Sequence, residues 1–201
     1  MGTTAVSLVL TSISAYAFSR LRFKGSEKLF PLVLLIQVFP LTLSMVSIFK
    51  IMNVFGLVDN ISGLIVVDSI VASAGLVLLA KGYFDRIPYE LDEAAQIDGA
   101  NRFTILIKII LPLVKPMLGV IAVQSFVIAY NEYTLANVIM TGGFKSMPLA
   151  VGLQSMMQGQ YATNWPAYCA AAVLGSIPMV LIFYSMQKNF IDGLSDGGVK
   201  G

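Results

Sequence analysis

Histidine is absent from this 201-residue sequence, and cysteine occurs once, at Cys169. The absence of histidine excludes histidine-based catalysis and every histidine-ligated metal site. A single cysteine cannot form an internal disulfide. No glycine-rich loop ends in Lys-Ser or Lys-Thr, so the chain has no P-loop for ATP. We therefore predict a protein with no catalytic residues, no bound metal and no cofactor of its own.

Charged residues are also scarce. They make up 12% of the sequence, which is about half of the roughly 25% that soluble domains average. A net charge of +2 gives no electrostatic footprint for a nucleic acid partner. Hydrophobic residues, in contrast, make up 57%, and the mean hydropathy is +0.81. We therefore expect a protein that is surrounded by membrane lipid.

Five long stretches almost free of charge predict five transmembrane helices. They lie at about 1–19, 29–49, 61–80, 116–136 and 166–187. The second would form about 32 Å of helix, which matches the hydrocarbon thickness of a bilayer. Small hydroxylated residues in the first stretch, such as Ser7 and Thr11, are typical of close packing between helices. The sequence thus predicts one all-α domain over 1–201, a polytopic transmembrane helical bundle.

The basic residues predict the orientation, because cytoplasmic loops collect Lys and Arg. Four of them follow the first stretch and five lie within 81–115, whereas the remaining loops contain only Lys50 and Lys145. This bias places the segment 85–115 and the C-terminus in the cytoplasm, and the loop 141–165 outside. It also places Met1 outside, and the odd number of spans leads us to expect a further helix upstream.

The segment 85–115 predicts a helix-turn-helix at the cytoplasmic surface. Pro88 suits the first turn of a helix, and the acidic residues that follow suit its positive N-terminal end. Gly99 suits the end of that helix, and Asp98 suits the cap of a second short helix. The apolar sides would consist of Leu91, Ala94, Ala95, Ile97, Phe103, Leu106, Ile107 and Ile110.

An amphipathic element of this kind can lie on lipid headgroups or in a groove of another protein. Ala94 and Ala95 favour the protein groove because they leave a shallow surface. A lipid-facing helix favours larger apolar groups and more lysine. The pattern alone leaves both interpretations open.

The spacing in this segment resembles the signature of a known family. The matching residues are, in order, Glu93-Ala94-Ala95, Gly99, Ile109 and Leu111-Pro112, separated by three, nine and one residues. This pattern is similar to the cytoplasmic loop of the membrane-spanning permease subunits of binding-protein-dependent ABC importers. The resemblance implies that the segment contains a coupling helix, which docks in a cleft of a separate ATPase subunit.

The same resemblance implies roles for individual residues. Glu93 would be the charged contact to the ATPase, Ala94 and Ala95 would form the close-packing surface, and Gly99 would make the turn. The remaining residues of the predicted coupling site are Asp98, Ile109, Leu111 and Pro112.

Three further segments, 130–133, 147–153 and 193–201, resemble the sugar-transporting branch of this family. The last two are most similar to the smaller permease subunits of maltose and maltodextrin importers. The resemblance implies a fold of six spans, of which this sequence lacks the first. It also implies a second permease subunit, two ATPase subunits that bind ATP and Mg²⁺, and an extracytoplasmic sugar-binding protein. Their common location would be the cytoplasmic (inner or plasma) membrane of a prokaryote.

Two acidic residues interrupt the predicted spans. A carboxylate in hydrocarbon is costly, so Glu132 should face a wet cavity or a donor on another helix. It could line the outward half of a translocation path, with Asn131 as a neighbour that binds sugar hydroxyls, or it could clamp two helices together. For Asp68, near the external interface, we expect a structural role.

The external loop and the C-terminus offer weaker signals. The resemblance implies that the loop, with Gln158, Tyr161 and Trp165, reaches into the sugar-binding protein, whereas an interfacial aromatic belt is the ordinary alternative. The C-terminal segment with Gly197, Gly198 and Lys200 has too much glycine for a helix. It would either thread between subunits or form a disordered tail.

The sequence favours one function over two alternatives. We predict a permease subunit that forms half of the path of an ATP-driven importer of maltose, maltodextrin or a related oligosaccharide, with ATP hydrolysed by a partner. A gradient-driven secondary transporter could use Asp68 and Glu132 as ion sites, but it leaves the segment 85–115 unexplained. A membrane-embedded enzyme lacks residues at catalytic spacing.

Overall fold

The computed structural model describes residues 1–21, 23–38, 40–143, 147–157 and 164–198. Within these residues every regular element is a helix, which confirms the predicted all-α class. The elements are α1 (Gly2–Arg20), α2 (Ser26–Val38), α3 (Leu41–Val54), α4 (Ile61–Phe84), α5 (Glu90–Ile97), α6 (Arg102–Ile105), a π-helical segment (Leu106–Ile110), α7 (Leu111–Leu113), α8 (Lys115–Asn131), α9 (Thr134–Ile139), α10 (Leu149–Met157) and α11 (Trp165–Gly198).

Three helices in the described part are long and apolar enough to cross a membrane, namely Gly2–Arg20, Ile61–Phe84 and Trp165–Ser185. The pair Arg102–Leu113 and Lys115–Asn131 gives a fourth crossing if its two parts, bent by 84°, count as one. The prediction of five spans assumed unbroken helices. Two of the predicted stretches, 29–49 and 116–136, are broken in the structure.

The predicted helix over 29–49 is divided into α2 and α3. Pro40 lies directly before α3, with an extended backbone (φ −62°, ψ 113°). A proline has no backbone N–H to donate, so Pro40 cannot continue the hydrogen bonds of α2 into α3. An absence of charge identifies this stretch as apolar but does not show that it is one helix.

The predicted helix over 116–136 ends at Asn131. Glu132 has an extended backbone (φ −69°, ψ 114°). Its carboxylate accepts hydrogen bonds from the backbone N–H groups of Leu135 at 2.7 Å and Ala136 at 2.8 Å. These are N–H groups at the start of α9, which have no partner within the helix. Glu132 therefore ends one helix and begins the next.

The helices α1 and α4 pack side by side in the same direction, through small hydroxylated residues. Ser69 Oγ lies 3.3 Å from the carbonyl oxygen of Thr3, and Ser73 Oγ lies 3.5 Å from that of Ser7. Each hydroxyl donates its hydrogen bond to a carbonyl one turn earlier in α4, at 2.5 Å and 2.6 Å. Thr3, Ser7 and Thr11 are buried. Close packing of the first span through its hydroxylated residues is thus confirmed.

Two hydrophobic clusters hold the bundle together. The first cluster joins α1, α4 and α8 to the segment between α5 and α7, and its buried residues are Ala15, Tyr16, Leu76, Ala80, Phe84, Ala95, Ile105, Leu106, Ile110, Val114, Met117 and Ile121. The second cluster joins α3, α4, α9 and α10, and its buried residues are Met52, Leu64, Val67, Leu135, Ala136, Ile139, Met140 and Val151. The first cluster therefore fixes α6 and the π-helical segment to the spanning helices, and it includes one residue of α5, Ala95.

Candidate functional site

The predicted helix-turn-helix is present, and Gly99 makes its turn. After α5, Gly99 adopts a left-handed backbone (φ +82°). Its N–H donates to the carbonyl of Gln96 at 3.0 Å, and the N–H of Ala100 donates to the carbonyl of Ala95 at 2.9 Å. This pair of bonds closes a helix at a left-handed residue, a position that favours glycine.

The cap of the second helix is Asn101, and the prediction that Asp98 caps it is wrong. Asn101 Oδ1 accepts the backbone N–H of Thr104 at 2.8 Å, and Asn101 has the extended backbone of a capping residue (φ −79°, ψ 164°). Asp98 is the exposed residue that follows α5. The turn through Gly99 delays the start of α6 until Arg102.

The second arm runs from Arg102 to Leu113 and meets α8 at an angle of 84°. The bend lies at Val114, which is fully buried in the first cluster. Ile109 and Leu111 are partly buried against the same cluster, whereas Pro112 is exposed. Ile109 and Leu111 therefore hold the arm against the bundle.

The outer side of the helix-turn-helix is exposed and partly apolar. In α5, Glu93 and Ala94 are exposed, and Ile97 is 87% exposed. In α6, Phe103 is 70% exposed. An acidic group, a small side chain and two large apolar groups are thus exposed on the helix-turn-helix, and we call these residues together the outer face (Glu93, Ala94, Ile97 and Phe103).

Ala95 does not belong to the outer face. It is 7% exposed and packs within the first cluster. Successive residues of an α-helix are about 100° apart, so Ala94 and Ala95 cannot both point outward to the same degree. The expectation that both form a close-packing surface for a partner is therefore corrected: Ala94 is on the surface and Ala95 is in the core.

The inner side of α5 carries a buried ion pair with α1. Arg20 Nη1 lies 3.7 Å from Asp92 Oδ2, and both side chains are almost fully buried, at 0% and 3% exposure. Arg20 Nη2 also donates to the carbonyls of Phe84 at 3.0 Å and Ile87 at 2.6 Å. The guanidinium lies 4.4 Å from the centre of the Tyr89 ring. One arginine thus contacts α5 and the end of α4.

Sequence reasoning does not find this pair. From the sequence, Arg20 counts only toward orientation, and Asp92 only toward the negative charge near a helix N-terminus. A signal is nevertheless present: Asp92 and Ala95 are three residues apart, so they lie on the same side of α5, and both are buried. An acidic residue on the inner side of a helix needs a cationic partner.

A cavity of about 590 Å³ lies beside the ion pair. It is lined by Arg20, Leu21, Phe23, Tyr89, Asp92, Glu93, Gln96 and Arg102. The cavity therefore extends from the buried pair to Glu93 on the outer face.

The predicted path residues have different environments. Asn131 is exposed, and its Nδ2 donates to the carbonyl of Val127 in its own helix at 2.9 Å. It lines a cavity of about 260 Å³ between α8, α10 and α11. Both carboxylate oxygens of Glu132 bind N–H groups of α9, as described above. The structure thus gives Glu132 a local structural contact.

Asp68 is buried, at 4% exposure, and lines a cavity of about 400 Å³ together with Phe126 and Tyr130. Among the described residues, its Oδ1 has no hydrogen-bond partner. The rings of Phe126 and Tyr130 are stacked, with centroids 5.2 Å apart. Asp68 is therefore a carboxylate inside the bundle that this part of the chain leaves unsatisfied.

Of the predicted contacts to a binding protein, Trp165 is described and Gln158 and Tyr161 lie outside the described residues. Trp165 begins α11, is exposed, and packs edge to face with Tyr168 at 6.0 Å. At the C-terminus, α11 extends to Gly198, so Gly197 and Gly198 are helical and the predicted non-helical segment is corrected there. Propagation of a helix costs less than its nucleation, which allows α11 to include them. Lys200 lies outside the described residues.

A family model described as binding-protein-dependent transport system inner membrane component matches residues 7–196. The galactooligosaccharides transport system permease protein GanQ of Bacillus subtilis (strain 168) is 37% identical over 99% of this chain and 70% of its own length. The maltodextrin transport system permease protein MdxG of the same organism is 34% identical over 98% of this chain and 70% of its length. The maltose/maltodextrin transport system permease protein MalG of Salmonella typhimurium is 36% identical over 100% of this chain and 69% of its length.

A solved structure is also similar to this fold. It is a chain of a bacterial ABC transporter involved in the import of the acidic polysaccharide alginate, with a TM-score of 0.76 and 26% identity. The similarity covers 93% of this chain and 72% of that chain. The family model, the similar sequences and the similar structure therefore all belong to membrane components of transport systems.

Proposed function

This chain belongs to the family of binding-protein-dependent transport system inner membrane components, and from that membership we propose that it is one of two permease subunits of an ATP-driven sugar importer. In this proposal a separate ATPase docks on the outer face. The observation that carries the proposal is the position of α5, which exposes Glu93, Ala94 and Ile97 while its other side is buried in the bundle.

The chemistry of the outer face suits a protein groove. Ala94 permits close approach of a partner backbone, Glu93 can pair with a cationic group, and Ile97 and Phe103 provide apolar area. Aromatic and apolar groups at the centre of a patch, with charge beside them, are typical of protein interfaces. The resemblance of residues 93–112 to the coupling segment of the family supports the same assignment.

The expected partners follow from the family. They are a second permease subunit, two ATPase subunits that bind ATP and Mg²⁺, and an extracytoplasmic sugar-binding protein. The chain itself is a transport component rather than an enzyme, so hydrolysis belongs to the partner. We propose a maltodextrin or a related oligosaccharide as substrate, because relatives over nearly the whole chain are named as permeases for galactooligosaccharides, maltodextrin and maltose.

The proposed mechanism is conformational. Closure of the ATPase dimer would displace the helix-turn-helix, and the first cluster would carry the displacement of the second arm into α1, α4 and α8 because that arm is packed into it. Rigid-body movement of packed helices is a common way to open one side of a bundle and close the other. The bias of Lys and Arg toward the α5 end supports a cytoplasmic position for that end.

The gradient-driven alternative loses one of its two ion sites. Both oxygens of Glu132 accept backbone N–H groups, so this carboxylate already has partners. Asp68 stays available, but one buried carboxylate does not explain the exposed outer face. Family membership favours the ATP-driven proposal.

The test is affinity purification of this chain, with the proteins bound to it, from its native membranes in mild detergent, followed by reconstitution in proteoliposomes. We expect a P-loop ATPase to co-purify, and maltodextrin uptake to require enclosed ATP and to stop with vanadate. The proposal would be overturned if vanadate leaves uptake unchanged and a protonophore abolishes it. The variant Glu93→Lys should bind the ATPase less tightly and import less sugar, whereas Glu27→Lys, the same charge reversal at an exposed residue of α2, serves as the matched control.

A further inference from the structure

Arg20 and Asp92 join three segments of the chain at one buried point. Asp92 belongs to α5, Arg20 is the last residue of α1, and the carbonyls that Arg20 binds belong to the end of α4 and the turn that follows it. We infer that this ion pair is the link through which a displacement of α5 moves α1 and α4. The inference rests on the proposed function, in which a partner moves α5.

The attachment of α5 to the bundle depends on very few residues. Within Glu90–Ile97, only Asp92 and Ala95 are buried. Alanine provides little apolar area, so packing alone holds α5 weakly. Two polar contacts therefore attach this helix to α1: the charged contact of Asp92, and a hydrogen bond from the hydroxyl of Tyr89, its N-cap residue, to the carbonyl of Ser19.

A buried ion pair is suited to force α1 to follow α5. Both side chains are almost entirely removed from water, at 0% and 3% exposure. Separation of the pair would leave an uncompensated charge in a poorly solvated site, which is much less favourable than separation of two apolar surfaces. A displacement of α5 is thus expected to take Arg20 with it.

Arg20 is held more closely on the α4 side than on the α5 side. Its Nη2 lies 3.0 Å and 2.6 Å from the carbonyls of Phe84 and Ile87, whereas Nη1 lies 3.7 Å from Asp92. Nη1 and both carboxylate oxygens of Asp92 have no hydrogen-bond partner among the described residues. The contact with α5 can therefore shorten, and the adjacent cavity of about 590 Å³ leaves room for that adjustment.

These observations assign Arg20 and Asp92 as positioning residues. Their role in this inference is to determine whether a movement of α5 reaches the spanning helices. Loss of the pair should therefore lower the number of sugar molecules imported per ATP hydrolysed. A defect in docking would instead lower the amount of bound ATPase.

The experiment measures that ratio for the reconstituted complex. Asp92→Asn removes the charge and keeps the shape, and Asp92→Glu keeps the charge. We expect Asp92→Asn to lower the ratio by roughly fivefold or more, the lower end of typical coupling between sites, and Asp92→Glu to restore most of it. The matched control is Asp85→Asn, which removes the exposed pair between Lys81 and Asp85 and should keep the wild-type ratio.

A second variant separates coupling from folding. The double substitution Arg20→Met with Asp92→Leu replaces both charges by apolar groups, a change that is often neutral or stabilising for a buried pair. It also removes the hydrogen bonds from Arg20 to the carbonyls of Phe84 and Ile87, so its thermal stability is measured beside the ratio. We expect this variant to assemble with the ATPase and still to show a low ratio. If Asp92→Asn fails to assemble, the double variant decides the question.

The outcomes distinguish this inference from the proposed function. A wild-type complex without ATP-dependent uptake would overturn the proposed function. The link alone would be overturned if the wild-type complex imports sugar with ATP hydrolysis and Asp92→Asn, or the assembled double variant, keeps the wild-type ratio. A reduced ratio in both variants, with rescue by Asp92→Glu, supports it.

Discussion

The hydroxyl of Tyr16 donates a hydrogen bond to the carbonyl oxygen of Arg102 at 3.1 Å. Tyr16 lies in the last turns of α1, and Arg102 is the first residue of α6, so this bond attaches the second arm of the helix-turn-helix to the same helix that carries Arg20. The two arms are therefore both connected to α1, one by a charge and one by a neutral hydrogen bond.

Substitution of Tyr16 by Phe should weaken this attachment. The variant loses one neutral hydrogen bond and keeps the buried ring, so we expect the free energy of unfolding to fall by about 1 kcal/mol. Thermal unfolding in detergent, followed by circular dichroism, checks the value. Tyr83→Phe is the control. An unchanged melting temperature for Tyr16→Phe would mean that the bond does not contribute to stability.

Ala94 and Ala95 provide a matched pair of substitutions on the two sides of α5. Ala94→Leu adds bulk to the outer face, so we expect unchanged stability but about tenfold weaker binding of the ATPase, equivalent to about 1.4 kcal/mol. Ala95→Leu overfills the first cluster, and we expect it to lower the free energy of unfolding by about 1–3 kcal/mol. Thermal unfolding and quantitative co-purification measure the two effects. The assignment of sides is wrong if the two variants exchange their behaviour.

Asp68→Asn should stabilise the protein. Oδ1 of this buried carboxylate lacks a hydrogen-bond partner among the described residues, and a buried charge without a partner is less favourable than a neutral group of the same shape. An amide of the same shape avoids most of that cost. The melting temperature in detergent should rise, while Asp85→Asn at the surface should change it little. A lower melting temperature would show that a donor from elsewhere satisfies Asp68.

The contact of Asp59 with Thr141, at the opposite end of the bundle, leads us to expect a stability that depends on pH. Thr141 Oγ1 donates to Asp59 Oδ2 at 2.9 Å, and this hydrogen bond lowers the pKa of the carboxyl below its ordinary value. A carboxyl with a lowered pKa stabilises the fold above its unfolded-state pKa, and the contribution is lost as the pH falls through the folded-state pKa. The variant Thr141→Val should therefore melt below wild type at pH 7, and the difference should shrink at pH 3. A difference that is equal at both pH values would contradict the linkage.

The sequence predicts the elements that have a long or periodic pattern. Apolar stretches identify α1, α4 and α11, and the glycine with its spacing identifies the turn at Gly99. The helix breaks at Pro40 and Glu132 are not predicted, because the length of an uncharged stretch reflects composition and not the conformation of the backbone. Proline removes a hydrogen bond and a carboxylate captures free N–H groups, and both effects are local.

The candidate site is predictable on its outer face and not on its inner face. The family spacing locates Glu93 and Ala94, since these residues belong to one continuous segment. The contact of Arg20 with Asp92 joins distant parts of the chain, and no local pattern specifies which helix end will lie beside α5. Likewise, whether Asp98 or Asn101 caps α6 depends on how many residues the turn at Gly99 contains.

The second arm meets α8 at nearly a right angle at Val114. From Arg102 to Leu113 the arm is about 18 Å long at the rise of an α-helix, and it is nearly perpendicular to the helix that it joins. Because the two are nearly perpendicular, we expect a sideways displacement of the far end of the arm to act on α8 mainly as a rotation about the long axis of that helix. Side chains along α8 would then change direction together.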